Sequence, residues 1–384
     1  MTAPSLSLRS NINLQYQSPL FSVLPAEIRS LIFKYALTDY EDITTHMSYD
    51  RDTYWYRPGY MAKRRTATEL LRTCKRIFQE TWFLPFALAE HCFYLTNTAR
   101  APSEHVTVAR MKEYLTTLRD FARNQDGMEI PQIERIRVFA QMFVLEDSPR
   151  LQEVLDMEGF QPKHITITLR YTDFWFWEHN SPIHIDAKWV NTVRFPKSVA
   201  TISMDFEMVD RRKEEIDYIT NLAVDKWFFR RADGIVFKAN KEDIKTSRWT
   251  GSSTLGDARW IRDESRTNEI DYYVKTVTWK PVPEFDPFTG GGDGCPNLDI
   301  PHDFPRQTPP FGRMPNVPVD DLQYLDCSDN LSAQQVYDSI LGMDEEMWEE
   351  AMSEEEMSEE GMSEEEMSEE GMSEEEMSEE EMSV

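Results

Sequence analysis

Two stretches of the sequence carry residue types whose spacing could perform chemistry. The first, GSSTLG at residues 251–256, has the glycine spacing with which a P-loop begins. A P-loop continues with Lys and then Ser or Thr, because the lysine must meet the charge of a phosphate. This sequence has Asp257 and Ala258 at those positions. The segment is therefore predicted to be a turn-rich loop and not a nucleotide site.

The second stretch brings three histidines close to three carboxylates in sequence, namely His164, His179 and His184 with Asp173, Glu178 and Asp186. No two of the histidines have the i, i+4 spacing of a helical metal site, so we predict surface or core histidines and no metal. The sequence also lacks a G-x-S-x-G nucleophile motif. It accordingly predicts no catalytic residues, no cofactor and no enzyme.

The elements that would position any site begin with a helix in LPAEIRSLIFKYALT, from Leu24. Pro25 suits a first helical turn, and Glu27 faces the positive end of the helix dipole. The residues predicted to form its buried apolar stripe are Ile28, Leu31, Ile32, Tyr35 and Ala36. Phe33 and Leu37 lie beside that stripe, and we predict that they are surplus to the core and open to a partner.

A second helix is predicted in TATELLRTCKRIFQETW, residues 66–82. Thr66 and Glu69 have the spacing of a capping box. The predicted inner face consists of Leu70, Cys74, Ile77, Phe78 and Thr81. Neither helix is long enough to be stable alone, so each must pack on a neighbour.

This pair of helices resembles the F-box, and more closely the F-box-like segment that opens many fungal proteins. The matching residues are Leu24–Ile28 (LPAEI) and Leu71–Lys75 (LRTCK). The resemblance implies binding to a Skp1-type adaptor of a cullin ubiquitin ligase, with the rest of the protein holding a target. It places the adaptor contact on Leu24, Pro25, Ile28, Phe33 and Leu71.

One departure from the F-box pattern is an insertion of about 27 residues between Thr38 and Thr66. It includes the aromatic run YWYRPGY, residues 54–60. The insertion could fold back over the adaptor surface or loop away from it. The alternative to the adaptor function is a non-catalytic fungal interaction or scaffold protein with no ubiquitin role.

After the helices, strand and helix patterns alternate through most of residues 91–280. Predicted strands begin near residues 91, 133, 164, 200, 235 and 272, and predicted helices near 103, 149 and 211, with Ser103 as an N-cap. This alternation predicts an α+β protein whose body is an α/β layered domain with a mixed sheet. A short strand–helix solenoid is the second possibility. Three body segments, ITLRYTDFWFWE, WFFRRADG and RWTGSSTLGDARWIRDE, also resemble the fungal F-box-like family, which has no generally established substrate.

The run from His164 ends in four aromatic residues, and a strand would place Phe174 and Phe176 on one face and Trp175 and Trp177 on the other. A strand that is apolar on both faces is either covered on both or offers one to a partner. Trp175 and Trp177 are therefore candidates for the core or for a target-binding surface. The core is favoured, because large aromatic side chains are usually mostly buried.

Composition sets the remaining expectations. The formal charge is −28, but residues 344–384 carry 21 acidic side chains and no Lys or Arg, which leaves −7 on the rest. We therefore expect no nucleic-acid partner. The four cysteines form no disulfide pattern, and no segment predicts a signal peptide or a membrane span. An intracellular protein of the cytoplasm or nucleus is expected.

The predicted domains are a disordered segment at 1–20, the F-box-like segment at 21–95, the α/β body at 96–280, a Pro/Gly-rich linker at 281–330, a short helix at 331–348, and an acidic Met-Ser-Glu repeat at 349–384. Within the repeat, Ser353, Ser363, Ser373 and Ser378 each precede a glutamate by three residues. That spacing resembles acidophilic kinase sites of the casein kinase 2 type and predicts phosphorylation.

Overall fold

The computed structural model describes residues 13–44, 46–123, 132–147, 149–256, 258–282 and 298–301. The predicted tail phosphorylation sites and the predicted helix at 331–348 lie outside these residues. Throughout the described ranges the protein forms helices and a large mixed sheet. The predicted α+β fold class is confirmed.

The N-terminal region consists of short helices that precede the sheet. They are α1 (Pro19–Ser22), α2 (Ala26–Leu37), α3 (Lys75–Thr81) and α4 (Leu84–Leu88), with a 3-10 segment at Thr68–Arg72. Between α2 and that 3-10 segment, two-residue strands β1 (Tyr40–Glu41) and β2 (Arg64–Arg65) pair antiparallel and close the insertion into a loop. The insertion is defined here as residues 39–65.

The body supplies the remaining elements in sequence order. They are β3 (Glu90–Leu95), α5 (Val108–Arg123), β4 (Ile133–Ala140), α6 (Met142–Asp147), α7 (Arg150–Leu155), β5 (Pro162–Leu169), α8 (Trp189–Thr192), β6 (Arg194–Phe195), β7 (Thr201–Val209), α9 (Lys213–Lys226), β8 (Phe229–Arg231), β9 (Val236–Ala239), β10 (Lys245–Ser252), β11 (Thr254–Leu255), β12 (Ala258–Arg259) and β13 (Glu269–Pro281). Further 3-10 segments lie at Thr98–Arg100, Tyr171–Asp173, Asp210–Arg212, Lys241–Asp243 and Ile261–Asp263.

The main sheet has the strand order β3-β4-β5-β7-β13-β9-β8-β6, and β10 pairs with β13 beside β9. Strands β3, β4, β5 and β7 run parallel, whereas β13 is antiparallel to β7, β9 and β10. Parallel neighbours require crossover connections, which the helices between these strands provide. The register between β7 and β13 pairs Asp205 with Thr276 and Met204 with Val277, so polar and apolar residues separate onto opposite faces.

The apolar face of the sheet contributes most of the core. Ile136, Ile167, Met204 and Val277 are fully buried on it. Helix α9 packs on this face of β7 and β13. On the opposite face the same strands present Arg137, Thr168, Asp205 and Thr276, and side chains of the insertion lie over them. The insertion thus lies against the polar face of the sheet.

The predicted start of the second N-terminal helix is wrong. The 3-10 segment extends to Arg72, and Cys74 is then extended (φ −157°, ψ 159°) before α3 begins at Lys75. The Cys74 Sγ accepts a hydrogen bond from the Ile77 amide at 3.5 Å, so it is this thiol that caps the helix. Thr66 and Glu69 form no capping box around Ala67, where the 3-10 segment starts without a hydrogen-bonded cap.

Three further predicted boundaries are wrong, two at the ends of elements in the body and one at the linker. Helix α5 begins at Val108, not near Ser103, and the Thr107 hydroxyl accepts a hydrogen bond from the Arg110 amide. Strand β5 ends at Leu169, so the aromatic run that follows is not strand. Part of the predicted linker also belongs to the body, because Ile300 is buried and its amide and carbonyl both bond to the Asn191 side chain.

Candidate binding surfaces

Helix α2 turns an apolar stripe toward solvent. Ile28, Leu31, Ile32 and Tyr35 follow the i, i+3, i+4, i+7 spacing of one helix face. Their exposed fractions are 43%, 50%, 42% and 84%, so the prediction that this stripe is buried is wrong. An apolar helix face left open in this way is typical of a surface that binds another protein.

The buried side of α2 contains Phe33 and Leu37, the residues predicted to be open to a partner. Only Phe33 and Leu37 are buried in this helix, and they pack with Ile77 and Leu84 in a small cluster. The prediction that Phe33 is open to an adaptor is therefore wrong. Both candidate stripes have helical spacing, and α2 packs against α4 and the 3-10 segment through the stripe that contains Phe33. Leu71 packs partly buried against the same cluster.

The entry to α2 is held by an arginine. Pro25 is exposed at the N-cap position, and Leu24 before it is half-buried. The Arg29 guanidinium donates to the Leu24 carbonyl at 2.9 Å and pairs with Glu80 of α3 at 3.5 Å. Arg29 thus stabilises the start of α2. This start contains Leu24, Pro25 and Ile28, to which the resemblance assigns an adaptor contact.

The insertion does not cover the exposed stripe, because its side chains pack on the body. Arg57 pairs with Glu207 of β7 at 3.1 Å, and the Tyr60 hydroxyl donates to the Glu90 carboxylate of β3. The Tyr60 ring also meets the Phe139 ring edge to face at 5.2 Å. Of the two possibilities for the insertion, the one in which it folds back over the first helix is wrong.

A network of buried charges lies beneath the insertion on the polar face. Asp205 accepts hydrogen bonds from Arg137 at 2.5 Å, from Thr168 at 3.2 Å and from Thr276 at 2.6 Å. Burial opposes ionisation of Asp205, but the charges of Arg137 and Arg57 outweigh it and hold the pKa of this carboxyl below its ordinary value. Asp205 is thus an ionised and fully engaged acceptor.

A cleft opens between the insertion and this network. Its volume is about 230 Å³, and its walls include Arg57, Tyr60, Arg137, Asp205, Trp249 and Thr276. The Trp249 ring stacks on Tyr272 at 4.3 Å, and its indole N–H donates to Glu207 at 2.9 Å. The cleft therefore combines an aromatic wall with guanidinium groups. No sequence pattern predicts that Arg57 and Trp249 line a site, since their shared partner Glu207 is distant in the sequence.

The aromatic run divides into a buried and a half-buried part. Trp177 is 3% exposed and packs on Trp260 at 4.4 Å and Tyr171 at 5.2 Å. Trp175 is half-buried and donates its indole N–H to Glu146. Phe176 is exposed, with a positive φ of 51°. Because residues 174–177 turn instead of extending, the predicted alternation of faces is wrong.

The glycine-rich segment lies in strands, and two of the histidines have different neighbours. GSSTLG spans the end of β10 and strand β11, and strand β12 follows it, whereas a phosphate-binding loop would lead into a helix. His164 contacts Thr201 at 2.7 Å, while His184 lies against Trp175 and Phe176. Within the described ranges, no three His, Cys, Asp or Glu residues are arranged to hold a metal ion.

Across the same part of the protein, no helix has both the length and the apolar character needed to span a membrane. Comparisons with protein-family models, with curated proteins and with solved structures return no match to this sequence. Function is therefore inferred from the α2 stripe, from the cleft, and from the residues in Leu24–Ile28 and Leu71–Lys75 that carry the F-box resemblance.

Proposed function

We propose that the N-terminal helices bind a Skp1-type adaptor of a cullin ubiquitin ligase and that the α+β body holds a target protein. The protein then acts as a substrate adaptor and not as an enzyme. Its contact surface consists of Leu24, Pro25 and the exposed stripe of α2, while Leu71 packs partly buried against the cluster that contains Phe33. Phe33 stabilises the helix from behind and makes no contact with the partner.

The open stripe on α2 is the observation that carries this proposal. Three aliphatic side chains, Ile28, Leu31 and Ile32, are each about half exposed beside an almost fully exposed Tyr35. Burial of one such group contributes roughly 1.5–3 kcal/mol. A stripe of this kind can thus provide most of the affinity of a helical interface, and it lies on the helix that begins with the LPAEI motif.

The test measures binding of purified Skp1 to the full-length protein by isothermal titration calorimetry. Replacing Leu31 and Ile32 together by alanine is expected to weaken binding by about one to two orders of magnitude, because the half of each side chain that is exposed would be buried in the interface. Both residues are exposed, so the melting temperature should stay close to that of the parent protein.

The matched control is Tyr114→Ala, which removes an exposed ring of 40% accessibility from α5. It should leave Skp1 binding unchanged. If the full-length protein does not bind Skp1, the adaptor function is refuted and the interaction or scaffold protein without a ubiquitin role takes its place. Equal binding by the parent protein and the Leu31/Ile32 variant would instead move the contact away from α2.

A further inference from the structure

Arg57 is a buried arginine whose hydrogen-bonding capacity is only partly used. Its side chain is 8% exposed, and Nη2 lies 3.1 Å from the Glu207 carboxylate. Its Nε and Nη1 groups are buried and meet no acceptor among the residues that the structure describes. The Phe139 ring, 5.9 Å from the guanidinium carbon, offers only a cation–π contact.

Unmet donors on a buried charge are unusual, because each costs free energy that folding must offset. Glu207 does not satisfy these donors, since its Oε2 lies at Nη2 and also accepts from Trp249, while Nε and Nη1 stay without an acceptor. Asp205 is occupied by Arg137, Thr168 and Thr276. The Nε and Nη1 donors of Arg57 therefore need acceptor atoms from outside the described residues.

Arg57 also lines empty space on two sides. One cavity of about 20 Å³ has room for one water molecule and is shared with Thr172, whose hydroxyl meets no partner among the described residues either. The other is the cleft of about 230 Å³. That volume is below the roughly 300–1,000 Å³ of sites for drug-sized ligands, so it suits a single group the size of an amino-acid side chain.

We propose that this cleft binds a carboxylate, which Arg57 anchors while the group attached to it packs against Trp249. A carboxylate is favoured because it supplies acceptors in the number and charge that an arginine prefers. On the proposed function, to which this inference adds the target class, the carboxylate belongs to the target protein, as an acidic side group or as its free C-terminus. The insertion then has a role, since it delivers the anchoring residue to the sheet.

The experiment uses the full-length protein and three small probes observed by ligand-detected NMR. N-acetyl-glutamate N-methylamide has a carboxylate only on its side group, N-acetyl-alanine has only a C-terminal one, and N-acetyl-glutamine N-methylamide is the uncharged match. We expect one or both carboxylates to bind at least about tenfold more tightly than the amide. Whichever carboxylate binds more tightly identifies the source of the group in the target.

Two variants locate the binding. Arg57→Lys keeps a positive charge for Glu207 but removes the Nε and Nη1 donors, and it should weaken carboxylate binding by about tenfold or more. Ser247→Trp fills the cleft from an exposed position on its wall and should abolish binding without affecting folding. Arg231→Gln is the control, because Arg231 is a partly buried arginine of similar kind, paired with Asp233 away from the cleft.

Equal binding of the amide and the carboxylates, or no binding of any probe, would overturn the proposal. So would carboxylate binding that survives both Arg57→Lys and Ser247→Trp. Skp1 binding by α2 is measured separately and does not involve Arg57. Failure of the cleft and failure of the adaptor surface are therefore told apart.

Discussion

Helix α2 of the N-terminal region and helix α9 of the body differ in how many of their residues are buried. Helix α2 buries two of its twelve residues, Phe33 and Leu37, in a cluster of four buried side chains. Helix α9 buries six of its fourteen, and the four apolar ones among them belong to the extensive core of the body. Helix α9 packs on the broad sheet with its apolar stripe buried, whereas α2 packs on short helices and leaves a second apolar stripe exposed.

This difference explains where apolar periodicity is informative. In α9 and at the residue that follows it, the predicted inner residues Ile216, Ile219, Ala223 and Trp227 are all buried. In α2 the pattern fits two stripes, and the longer one faces solvent. On the proposed function, the exposed stripe of α2 is the surface that a partner would cover, whereas the apolar stripe of α9 is already covered by the body.

The largest effect should come from the body. Trp177→Ala removes a ring buried among Trp260 and Tyr171 and is expected to lower the free energy of unfolding by about 3–5 kcal/mol. Chemical denaturation followed by circular dichroism measures it. Trp175→Ala, at a half-buried site two residues away, should cost clearly less. Equal losses at both positions would mean that Trp175 belongs to the same core.

An intermediate effect is expected in the N-terminal cluster. Leu37→Ala should cost about 2–3 kcal/mol, toward the lower end of the range for core leucines, because so small a cluster can relax around the gap. Hydrogen exchange should show the loss mainly in α2 amides, since local opening there need not involve the sheet.

Leu31→Ala is the matched substitution on the exposed face and should change stability by no more than about 0.5 kcal/mol. A greater loss from Leu31→Ala than from Leu37→Ala would reverse the assignment of the two faces. It would also remove the structural basis of the proposed adaptor surface.

The smallest effect concerns the contact between the two regions. His91 of β3 bonds to the Phe86 carbonyl of α4 at 2.8 Å, and burial lowers the pKa of His91 below its ordinary value of 6.5. As the pH falls, His91 therefore binds a proton at a higher pH in the unfolded protein than in the folded one. Stability should be fully present above about pH 6.5 and should fall as the pH drops through the lowered value.

Thermal unfolding at about pH 7.5 and pH 5.5 measures this slope. His91→Gln provides the comparison, because it keeps an N–H donor for the Phe86 carbonyl but does not titrate in this range. Its melting temperature should fall less than that of the parent protein on acidification. An identical slope in the two proteins would show that other groups control the acid response.

Much of the sheet could be predicted, because β4, β5, β7 and β13 carry strong apolar patterns. Strand β10 could not, since Lys245–Arg248 are polar and exposed on a strand paired only with β13 among the described strands. The segment Trp249–Gly251 owes its conformation to β13, where Tyr272 stacks on Trp249 and lies within 2.9 Å of the position that a Cβ on Gly251 would occupy. Local propensity carries no signal for such a strand.

The cleft was beyond prediction for a related reason. Arg57 and Glu207 are 150 positions apart in the sequence, and each separately is an ordinary charged residue. Their proximity depends on the insertion crossing the polar face, which aromatic content alone did not indicate. The LPAEI motif, by contrast, is local, and the position of Pro25 at the start of α2 could be predicted from it.

The path of the insertion has a mechanical consequence. The backbone leaves α2 through β1 and returns through β2, and between them Arg57 and Tyr60 are fastened to carboxylates of β7 and β3. Movement of the insertion away from the sheet would therefore separate the buried Arg57 from its counter-ion, which is strongly unfavourable. On the proposed function, this fastening would hold a target in the cleft at a fixed distance from an adaptor bound by α2. The span of the insertion, and not either affinity, would then determine which lysines of the target can be reached.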